Sequence, residues 1–351
     1  MEAGDHEAEP VLAQLFDLVI VHNEVLVTSE VLHIALQPQA QTQLVSLALP
    51  CHLVDEVCGD LHLAVFLPGI TQGSGNRLVG EGPLYDEKNN TLYALDIRSK
   101  SVIRTDLATG AQAVTTYPQE IGCIALTASG RLLAGMTDGI YYLREDGTLE
   151  AFLVPEKLAG RRFNDGKVGP DGHYYIGTIS TATEADAAFY HVSPAGEMEQ
   201  LLFPVGNSNG LAWNKEATLL YYCDTRSHQI DVFDFDGENH SIRNRRCVIQ
   251  IPAELGSPDG MTIDDQGHLW VALWAGSGLL HIDPTEQKIL EKLPFPAKNV
   301  TCCTFVGEDF SQLAVTSAAF GTDPAQNPRE GNTFLIQPGV RGLPTNRFRD
   351  I

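Results

Sequence analysis

The sequence is poor in positive charge. Its 351 residues include 23 Lys and Arg against 45 Asp and Glu, which gives a formal net charge of −22. A chain with this excess of negative charge is repelled by the phosphates of nucleic acids and by anionic lipid surfaces, so neither is expected as a partner. The same charge favours solubility and is compatible with the binding of cations.

The signals of membrane insertion and secretion are also absent. No apolar run approaches the ~20 residues that a membrane-spanning helix needs. The first ten residues, MEAGDHEAEP, are acidic and lack the basic and apolar regions of a signal peptide. The seven cysteines are scattered, which suits free thiols in a reducing compartment better than a disulfide framework. We therefore expect a cytoplasmic protein.

Common catalytic motifs are missing as well. The chain contains no Gly-Xaa-Ser-Xaa-Gly elbow, no Cys-Xaa-Xaa-Cys pair and no glycine-rich phosphate loop, so no organic cofactor is indicated. The histidines do not cluster along the sequence. His173 and His268 each follow a turn glycine and begin an apolar run, which indicates a repeated structural position.

What the sequence does contain is a repeat. Six short apolar runs have the same character, at 92–96, 132–135, 174–177, 220–224, 269–272 and 313–316. Their last residues lie 39, 42, 47, 48 and 44 apart, close to the size of a four-stranded propeller blade. Such regular spacing is unusual for the alternative, a β-sandwich. We therefore predict an all-β fold, a six-bladed β-propeller over residues 80–351.

Residues 1–79 are predicted to form an N-terminal extension. Residues 1–9 have the composition of a disordered segment, whereas 16–21, 24–28 and 61–67 are strand-like. We expect the strand-like part to pack on the propeller. The sequence gives no physical reason to choose among a cover for a sheet edge, a cover for a face of the ring and a contact between subunits.

Polar residues recur at the start of the predicted blades. Glu81, Asn209 and Asp259 each stand among glycines and precede an apolar strand by a few residues. Arg162, Asn164 and Asp165 form a polar turn before the strand at 173–178. Taken alone, each is typical of a turn. In a closed ring, however, the ends of the innermost strands converge on the central channel, so these turns would form one site.

Four motifs make the sequence resemble a known family. They are GEGPLYDEKNNTLYALDI (80–97), RFNDGKVGPDGHYYIGT (162–178), SNGLAWNKEATLLYYCDT (208–225) and PDGMTIDDQGHLWVA (258–272). In wording, order and separation they are similar to the senescence marker protein, regucalcin and gluconolactonase family, which includes luciferin-regenerating enzymes. The resemblance covers residues 80 to about 334.

The resemblance implies a metal-dependent lactonase. Glu81, Asn209 and Asp259 correspond to the family's metal ligands, and oxygen donors of this kind suit one divalent ion, with Ca²⁺ preferred and Mg²⁺, Mn²⁺ or Zn²⁺ as alternatives. The metal would polarise the carbonyl of a small lactone. Either Asp259, as general base, or metal-bound hydroxide would supply the nucleophile. Arg162 and Asn164 correspond to positions that contact substrate or metal-bound water.

Two further carboxylates, Asp165 and Asp224, are expected to orient a ligand or balance the charge of the metal site, or else to be structural. The sequence also departs from the family. Some family lactonases carry a substrate-binding carboxylate where this chain has Ala182, and Glu184 could replace it only with a different loop. A non-enzymatic calcium-binding protein and a hydrolase of another cyclic ester therefore remain alternatives. The oligomeric state is left open.

Overall fold

The computed structural model describes residues 25–28, 31–36, 43–47, 78–156, 158, 161–180, 185–323 and 325–350. The chain divides into two units, Met1–Pro68 and Gly69–Ile351. The first unit contains an antiparallel sheet of β1 (Val25–Thr28), β2 (Val31–Leu36) and β3 (Gln43–Leu47). Strand β1 lies within the strand-like stretch at 24–28. The predictions for 1–9, 16–21 and 61–67 fall outside the described residues.

The second unit consists of six antiparallel sheets in chain order. The first blade contains β4 (Gly80–Asp86), β5 (Thr91–Asp96), β6 (Ser101–Asp106) and β7 (Gln112–Thr116). The second contains β8 (Ile121–Leu126), β9 (Leu132–Met136), β10 (Ile140–Leu143) and β11 (Leu149–Leu153). The third contains β12 (Arg161–Val168), β13 (Tyr174–Ser180), β14 (Ala187–Val192) and β15 (Met198–Val205).

The other three blades follow the same plan. The fourth contains β16 (Ser208–Trp213), β17 (Leu219–Asp224), β18 (Gln229–Asp236) and β19 (Ser241–Gln250), with a 3-10 helix at Thr225–Ser227. A second 3-10 helix, Ala253–Leu255, precedes the fifth blade, which contains β20 (Ser257–Ile263), β21 (Leu269–Trp274), β22 (Gly278–Asp283) and β23 (Lys288–Pro294). In the described residues the sixth blade contains β24 (Asn299–Val306), β25 (Gln312–Ala318) and β26 (Thr333–Ile336).

The repeat in the sequence is the second strand of each blade. The six apolar runs correspond to β5, β9, β13, β17, β21 and β25. These strands are covered on both faces by the neighbouring blades, so nearly every residue is buried, as in β21, where residues 269–273 are fully inaccessible. A strand buried on both faces has a continuous apolar run, not an alternating one, and this produces the regular signal.

The first strands of the blades close into a ring. Strands β4, β8, β12, β16, β20 and β24 contact one another in that order, and β24 in turn contacts β4. Across this last junction, the Thr301 hydroxyl donates a hydrogen bond of 2.7 Å to the carbonyl oxygen of Gly80. The prediction of an all-β, six-bladed propeller is confirmed.

The first strand of each blade contains a β-bulge, and all six bulges lie at equivalent positions near the start of the strand. The pairing of the first with the second strand shifts register after Glu81, Ile121, Phe163, Asn209, Pro258 and Val300. The expectation that the polar residues lie in turns before the strands is therefore wrong, because they lie inside β4, β12, β16 and β20. A β-bulge uses the same Gly, Asn and Asp residues as a turn and re-aims the side chain beside it.

A C-terminal segment, residues 341–350, crosses the ring at the other end of the channel. It forms β-bridges from Gly342 to Asp264 in the fifth blade and from Phe348 to Thr127 in the second. The Phe348 ring is fully buried in the core. Residues 343–346 line a second cavity of about 360 Å³, together with the far ends of the first strands. The channel is thus covered at this end.

Candidate metal centre

The six bulges place one residue each around the mouth of the channel. They line a cavity of about 370 Å³ and are Glu81, Gly122, Asn164, Asn209, Asp259 and Thr301. The structure therefore brings together the three residues that the resemblance implies as metal ligands. Arg162 and Asp165 line the same cavity.

Two of the six positions offer no free oxygen donor. A Cβ atom on Gly122 would lie 2.2 Å from the Phe163 carbonyl oxygen and 2.7 Å from that of Asn164, so the close approach of the next blade requires glycine here. The hydroxyl of Thr301 lies within hydrogen-bond distance of the Thr316 hydroxyl and donates to the Gly80 carbonyl. The donors for a cation therefore come from the other four blades.

Hydrogen bonds fix the two asparagines of the site. Asn209 Nδ2 donates to Thr225 Oγ1 at 2.9 Å. Asn164 Nδ2 donates to Asn207 Oδ1 and to the Ser208 carbonyl, both at 3.0 Å, and lies 3.4 Å from Asn209 Oδ1. Asn164 is buried, so these bonds tie the third blade to the fourth at the cavity wall.

Arg162 lies at the rim. Its Nη1 atom donates to Asn164 Oδ1 and to the Phe163 carbonyl, both at 2.9 Å. Its Nε atom lies 3.4 Å from Glu120 Oε2, and Glu120 also accepts a hydrogen bond of 2.7 Å from Arg98. Arg162 is thus held by three protein partners, and its Nη2 group carries further donors.

The carboxyl groups of the site lie close enough for their charges to affect one another, with Asp259 buried and Glu81 and Asp165 half-buried. Burial raises the pKa of Asp259 well above its usual range, and the negative charges of Glu81 and Asp165 raise it further, against hydrogen bonds from Asn209 and the Gly260 amide. Burial also raises the pKa of Glu81, with the charge of Asp165 next in importance. A buried group of like charges is costly unless a cation neutralises it.

The donor set fits a divalent cation. Glu81 and Asp259 supply carboxylate oxygens and Asn209 an amide oxygen, which are the ligands that hard ions such as Ca²⁺ and Mg²⁺ prefer. A cation among these residues would offset the repulsion that raises the carboxyl pKa values. Three protein ligands also leave coordination positions for water or substrate.

Asp165 and Asp224 differ in position. Asp165 lines both cavities, and although burial raises its pKa, the positive charge of Lys167 opposes that shift. The Asp224 carboxylate accepts hydrogen bonds from the amides of Gly206 at 2.8 Å and Asn207 at 2.9 Å. Asp224 therefore holds the loop that leads into Asn209, while Asp165 lies with the other acids.

Sequence reasoning overlooked several lining residues. Asn207, Thr225, Trp274 and Phe320 line the cavity, and the Phe320 side chain is 52% exposed. Thr225 could have been found because it ends the motif at 208–225, and Asn207 because it stands directly before that motif. Trp274 is the last residue of β21 and Phe320 follows β25, and neither has a local polar signal in the sequence. Residues 181–184, which include Ala182 and Glu184, lie outside the described residues.

Comparison with known proteins places this arrangement in a family. The family described as "SMP-30/Gluconolactonase/LRE-like region" matches residues 79–319. The chain belongs to this family. It is 33% identical to regucalcin of Gallus gallus, over 79% of this chain and 96% of that protein. It is 35% identical to a candidate sugar lactone lactonase, YvrE, of Bacillus subtilis, over 77% of this chain and 95% of that protein.

Solved structures of the SMP-30/gluconolactonase family have the same fold. A luciferin-regenerating enzyme superposes with a TM-score of 0.74 at 26% identity, covering 79% of this chain and 97% of that one. A regucalcin of Agrobacterium tumefaciens, described as a calcium-binding protein, superposes with a TM-score of 0.74 at 27% identity, covering 78% and 95%. In the part of the chain that the structure describes, no helix is long and apolar enough to cross a membrane.

Proposed function

We propose that this protein is a metal-dependent hydrolase that opens a small lactone. The observation that carries the proposal is the convergence of Glu81, Asn209 and Asp259 at one cavity, in a chain of a family that includes gluconolactonases. The cavity of about 370 Å³ has the size of a small-molecule site. The relative from Bacillus subtilis, a candidate sugar lactone lactonase, supports the same class of substrate.

In this proposal each residue has a distinct role. Glu81, Asn209 and Asp259 hold the cation, for which Ca²⁺ is the first candidate. When bound, a divalent cation supplies Lewis acidity, which polarises the lactone carbonyl and stabilises charge on its oxygen. Arg162 Nη2 donates to oxygens of the substrate, and Asn164 holds Arg162 in place.

Asp259 moves the proton. Its carboxylate accepts a proton from a water molecule as the water oxygen attacks the carbonyl carbon. It returns the proton to the ring oxygen as the carbon–oxygen bond of the ring breaks, so the product is a hydroxy acid. Burial and the neighbouring charges raise the pKa of Asp259, which makes its carboxylate more basic, and a bound cation would oppose that shift and keep the carboxylate ionised, so that it can accept the proton.

The test is turnover of a lactone panel by metal-stripped and Ca²⁺-loaded protein, followed by acid release. We expect hydrolysis in the loaded protein and loss of activity with chelator. The panel should include gluconolactone and a plain valerolactone, because Ala182 and the apolar Trp274 and Phe320 favour a weaker preference for polyhydroxylated substrates. No turnover of any lactone, together with Ca²⁺ binding, would overturn the proposal.

That outcome would favour the second candidate, a calcium-binding protein without catalytic activity. The specific observation behind it is the likeness to proteins named regucalcin, one of which is described as calcium-binding. Both functions use the same three ligands. Lactone turnover is therefore the measurement that separates them.

A further inference from the structure

Two pairs of histidines lie outside the cavity at equivalent positions of the third and fifth blades. His173 and His268 directly precede the second strands of their blades. His191 lies opposite Tyr175 on the third strand of its blade, and His281 lies opposite Trp270 in the same way. The repeat therefore brings two histidines together in each of these blades.

In the third blade a further histidine joins the pair. His240 comes from the turn between β18 and β19 of the fourth blade, and its ring centroid lies 3.7 Å from that of His173 and 5.2 Å from that of His191. One ring nitrogen of each of the three residues lies within 4.8 Å of the others. The sequence-based view that the histidines do not cluster is wrong here, because the group spans the boundary between two blades.

The hydrogen bonds of this group leave ring nitrogens available. Asp171 Oδ2 lies 2.8 Å from His240 Nδ1 and accepts a bond of 2.8 Å from the Tyr175 hydroxyl. His173 Nδ1 and His191 Nε2 lie within hydrogen-bond distance. His191 is 6% exposed, and its Nδ1 atom has no hydrogen-bond partner among the residues that the structure describes. A buried polar atom of this kind calls for a ligand.

We propose that His173, His191 and His240 form a second cation site, for a transition-metal ion such as Zn²⁺, which joins the third blade to the fourth. Imidazole nitrogen is a preferred ligand of zinc. Ligand atoms about 2.0–2.1 Å from a tetrahedral ion lie about 3.3 Å apart. The three ring nitrogens already lie within 4.8 Å of one another, and rotation of the stacked rings out of their parallel arrangement would direct them at one ion. This site is chemically distinct from the oxygen donors at the channel mouth.

The surroundings suit a cation that enters from solvent. Asp171 holds His240 through Nδ1 and contributes a negative charge next to the rings, as carboxylates commonly do for metal-binding histidines. Arg349 of the C-terminal segment is a positive neighbour of His173, and its charge is opposed by that of Asp171. The His240 side chain is 32% exposed, which gives an ion a route to the site.

The corresponding group in the fifth blade, Asp264, His268 and His281, has a different set of ligands, although His268 Nδ1 and His281 Nε2 are also buried without a hydrogen-bond partner among the described residues. The Asp264 carboxylate accepts hydrogen bonds from the amides of Gln266 and His268 and from Trp270 Nε1. The Trp270 ring stacks on His281 at a centroid distance of 4.1 Å. Neither of the two histidines there has a third histidine from a neighbouring blade in the described residues. The zinc proposal therefore concerns the third blade alone.

The test uses the full chain, stripped of metal and then dialysed against Zn²⁺ in a large excess of Ca²⁺. Calcium saturates oxygen ligands but competes poorly for imidazole. We expect one zinc ion per chain to be retained, and Co²⁺ in its place to give the visible bands of a nitrogen-ligated site. Retention of no zinc by wild-type protein would overturn the proposal without the use of any variant.

Two variants locate the ion. His240 and His228 both have left-handed backbones, with φ of 51° and 53°, which Asn tolerates. We expect His240→Asn to weaken zinc binding at least tenfold and to remove the cobalt bands, and His228→Asn to bind as the wild type does. Unchanged binding by His240→Asn, or equal loss in His228→Asn, would refute the assignment. Zinc retention by Glu81→Gln separates this site from the channel mouth.

Discussion

Asp259 shows how one residue acquires its chemistry from its surroundings. Taken by itself, Pro258-Asp259-Gly260 is an ordinary turn sequence. In the ring it lies at a bulge of β20, 7% exposed, beside two other acids. Burial and like charge favour its protonated form, and a nearby cation favours its ionised form. These opposing effects on the pKa of Asp259 make the residue suitable for both cation binding and proton transfer.

Asp259→Asn should separate these two roles. The change keeps one oxygen ligand but removes the negative charge and the capacity to accept a proton. We expect weaker binding of Ca²⁺, and a kcat about 10²–10⁴-fold below wild type even when the site is saturated. The measurement is lactone turnover with metal occupancy determined in the same samples.

The matched control is Asp265→Asn, the same change at an exposed position of the same blade. We expect it to leave kcat and calcium binding unchanged. A fully loaded Asp259→Asn protein with near wild-type kcat would remove Asp259 from the role of base. It would leave the lactonase proposal itself intact.

At this scale the sequence predicts the identity of the polar residues better than their conformation. Glu81, Asn209 and Asp259 meet at one cavity, as the ring argument predicts, although their roles remain proposals. Their placement in turns was wrong because the register shift of a bulge depends on pairing with a second strand. The local sequence of such a bulge contains the same residue types as a turn, so the two cannot be distinguished from the sequence.

Among the elements, the C-terminal segment 341–350 depends on a few specific contacts. Arg347 Nη2 donates to Asp86 Oδ1 at 2.6 Å and to Glu87 Oε2 at 3.1 Å, and Asp86 is 2% exposed. Burial alone would raise the pKa of Asp86, but hydrogen bonds from Arg347 and Asn89 outweigh it and lower the pKa. The pair thus holds the segment to the first blade.

Arg347→Ala should destabilise the protein by about 1–3 kcal/mol, because it leaves the buried Asp86 carboxylate with fewer donors. Chemical denaturation at pH 7 measures the loss. Arg341→Ala is the control from the same segment, since its pair with Asp309 is exposed on both sides and should contribute little. Equal effects of the two variants would contradict this account.

The packing of the third blade on the fourth should depend on pH. Burial lowers the pKa of His173 to about 4, against the charge of Asp171, while His240, His191 and Arg349 lower it further. An unfolded chain, whose histidine pKa is about 6.5, therefore binds the proton more tightly. This contribution to stability is complete above pH ~6.5 and is lost as the pH falls towards 4.

The measurement is the Tm between pH 7.5 and pH 4.5 in the presence of chelator, so that no metal competes with protons. We expect His173→Gln to show a smaller decrease in Tm over this range than the wild type. Identical slopes would show that His173 does not contribute. A residual slope is expected, because burial also lowers the pKa of His191.

At the scale of elements, the sequence predicts the strands that recur in every blade but not the segments and contacts that occur only once. The period of about 44 identified all six second strands, because each is buried on both faces. The C-terminal segment has no such pattern. Its single buried ring, Phe348, packs on residues more than 150 positions away. The histidine group was not predicted for the same reason, because it depends on the pairing of Tyr175 with His191 and on contact between blades.

For the whole molecule, the closed ring concentrates negative charge at its centre. Glu81, Asp165 and Asp259 come from three different blades, yet all line the channel mouth, where Asp259 is buried and the other two are half-buried. Local interactions, such as the positive charge of Lys167 beside Asp165 and the Gly82 amide beside Glu81, compensate this arrangement only in part, because the pKa values of both acids stay raised. Repulsion among these charges therefore opposes closure of the ring. A divalent cation bound by several blades would remove this repulsion and stabilise the closed ring.

Glu81→Gln should consequently change stability in opposite directions with and without metal. In chelator, the loss of one buried charge should raise the Tm above that of the wild type, because repulsion with Asp165 and Asp259 is relieved. With Ca²⁺ at about 100 times the Kd, the wild type should gain about 2.7 kcal/mol. The variant should gain much less, since it lacks one ligand.

Glu145→Gln is the control, because the Glu145 side chain is 95% exposed. Its Tm should equal that of the wild type with and without calcium. A change in the order of the Tm values of wild type and Glu81→Gln between the two conditions would then be specific to the channel mouth. A calorimetric scan of the three proteins, with and without calcium, decides the matter. If wild type and Glu81→Gln gained equally from calcium, Glu81 would not be a ligand. If Glu81→Gln melted below the wild type in chelator, repulsion among the acids would not destabilise the metal-free protein. Any stabilisation by calcium would then have to come from the contacts that the ion makes between blades.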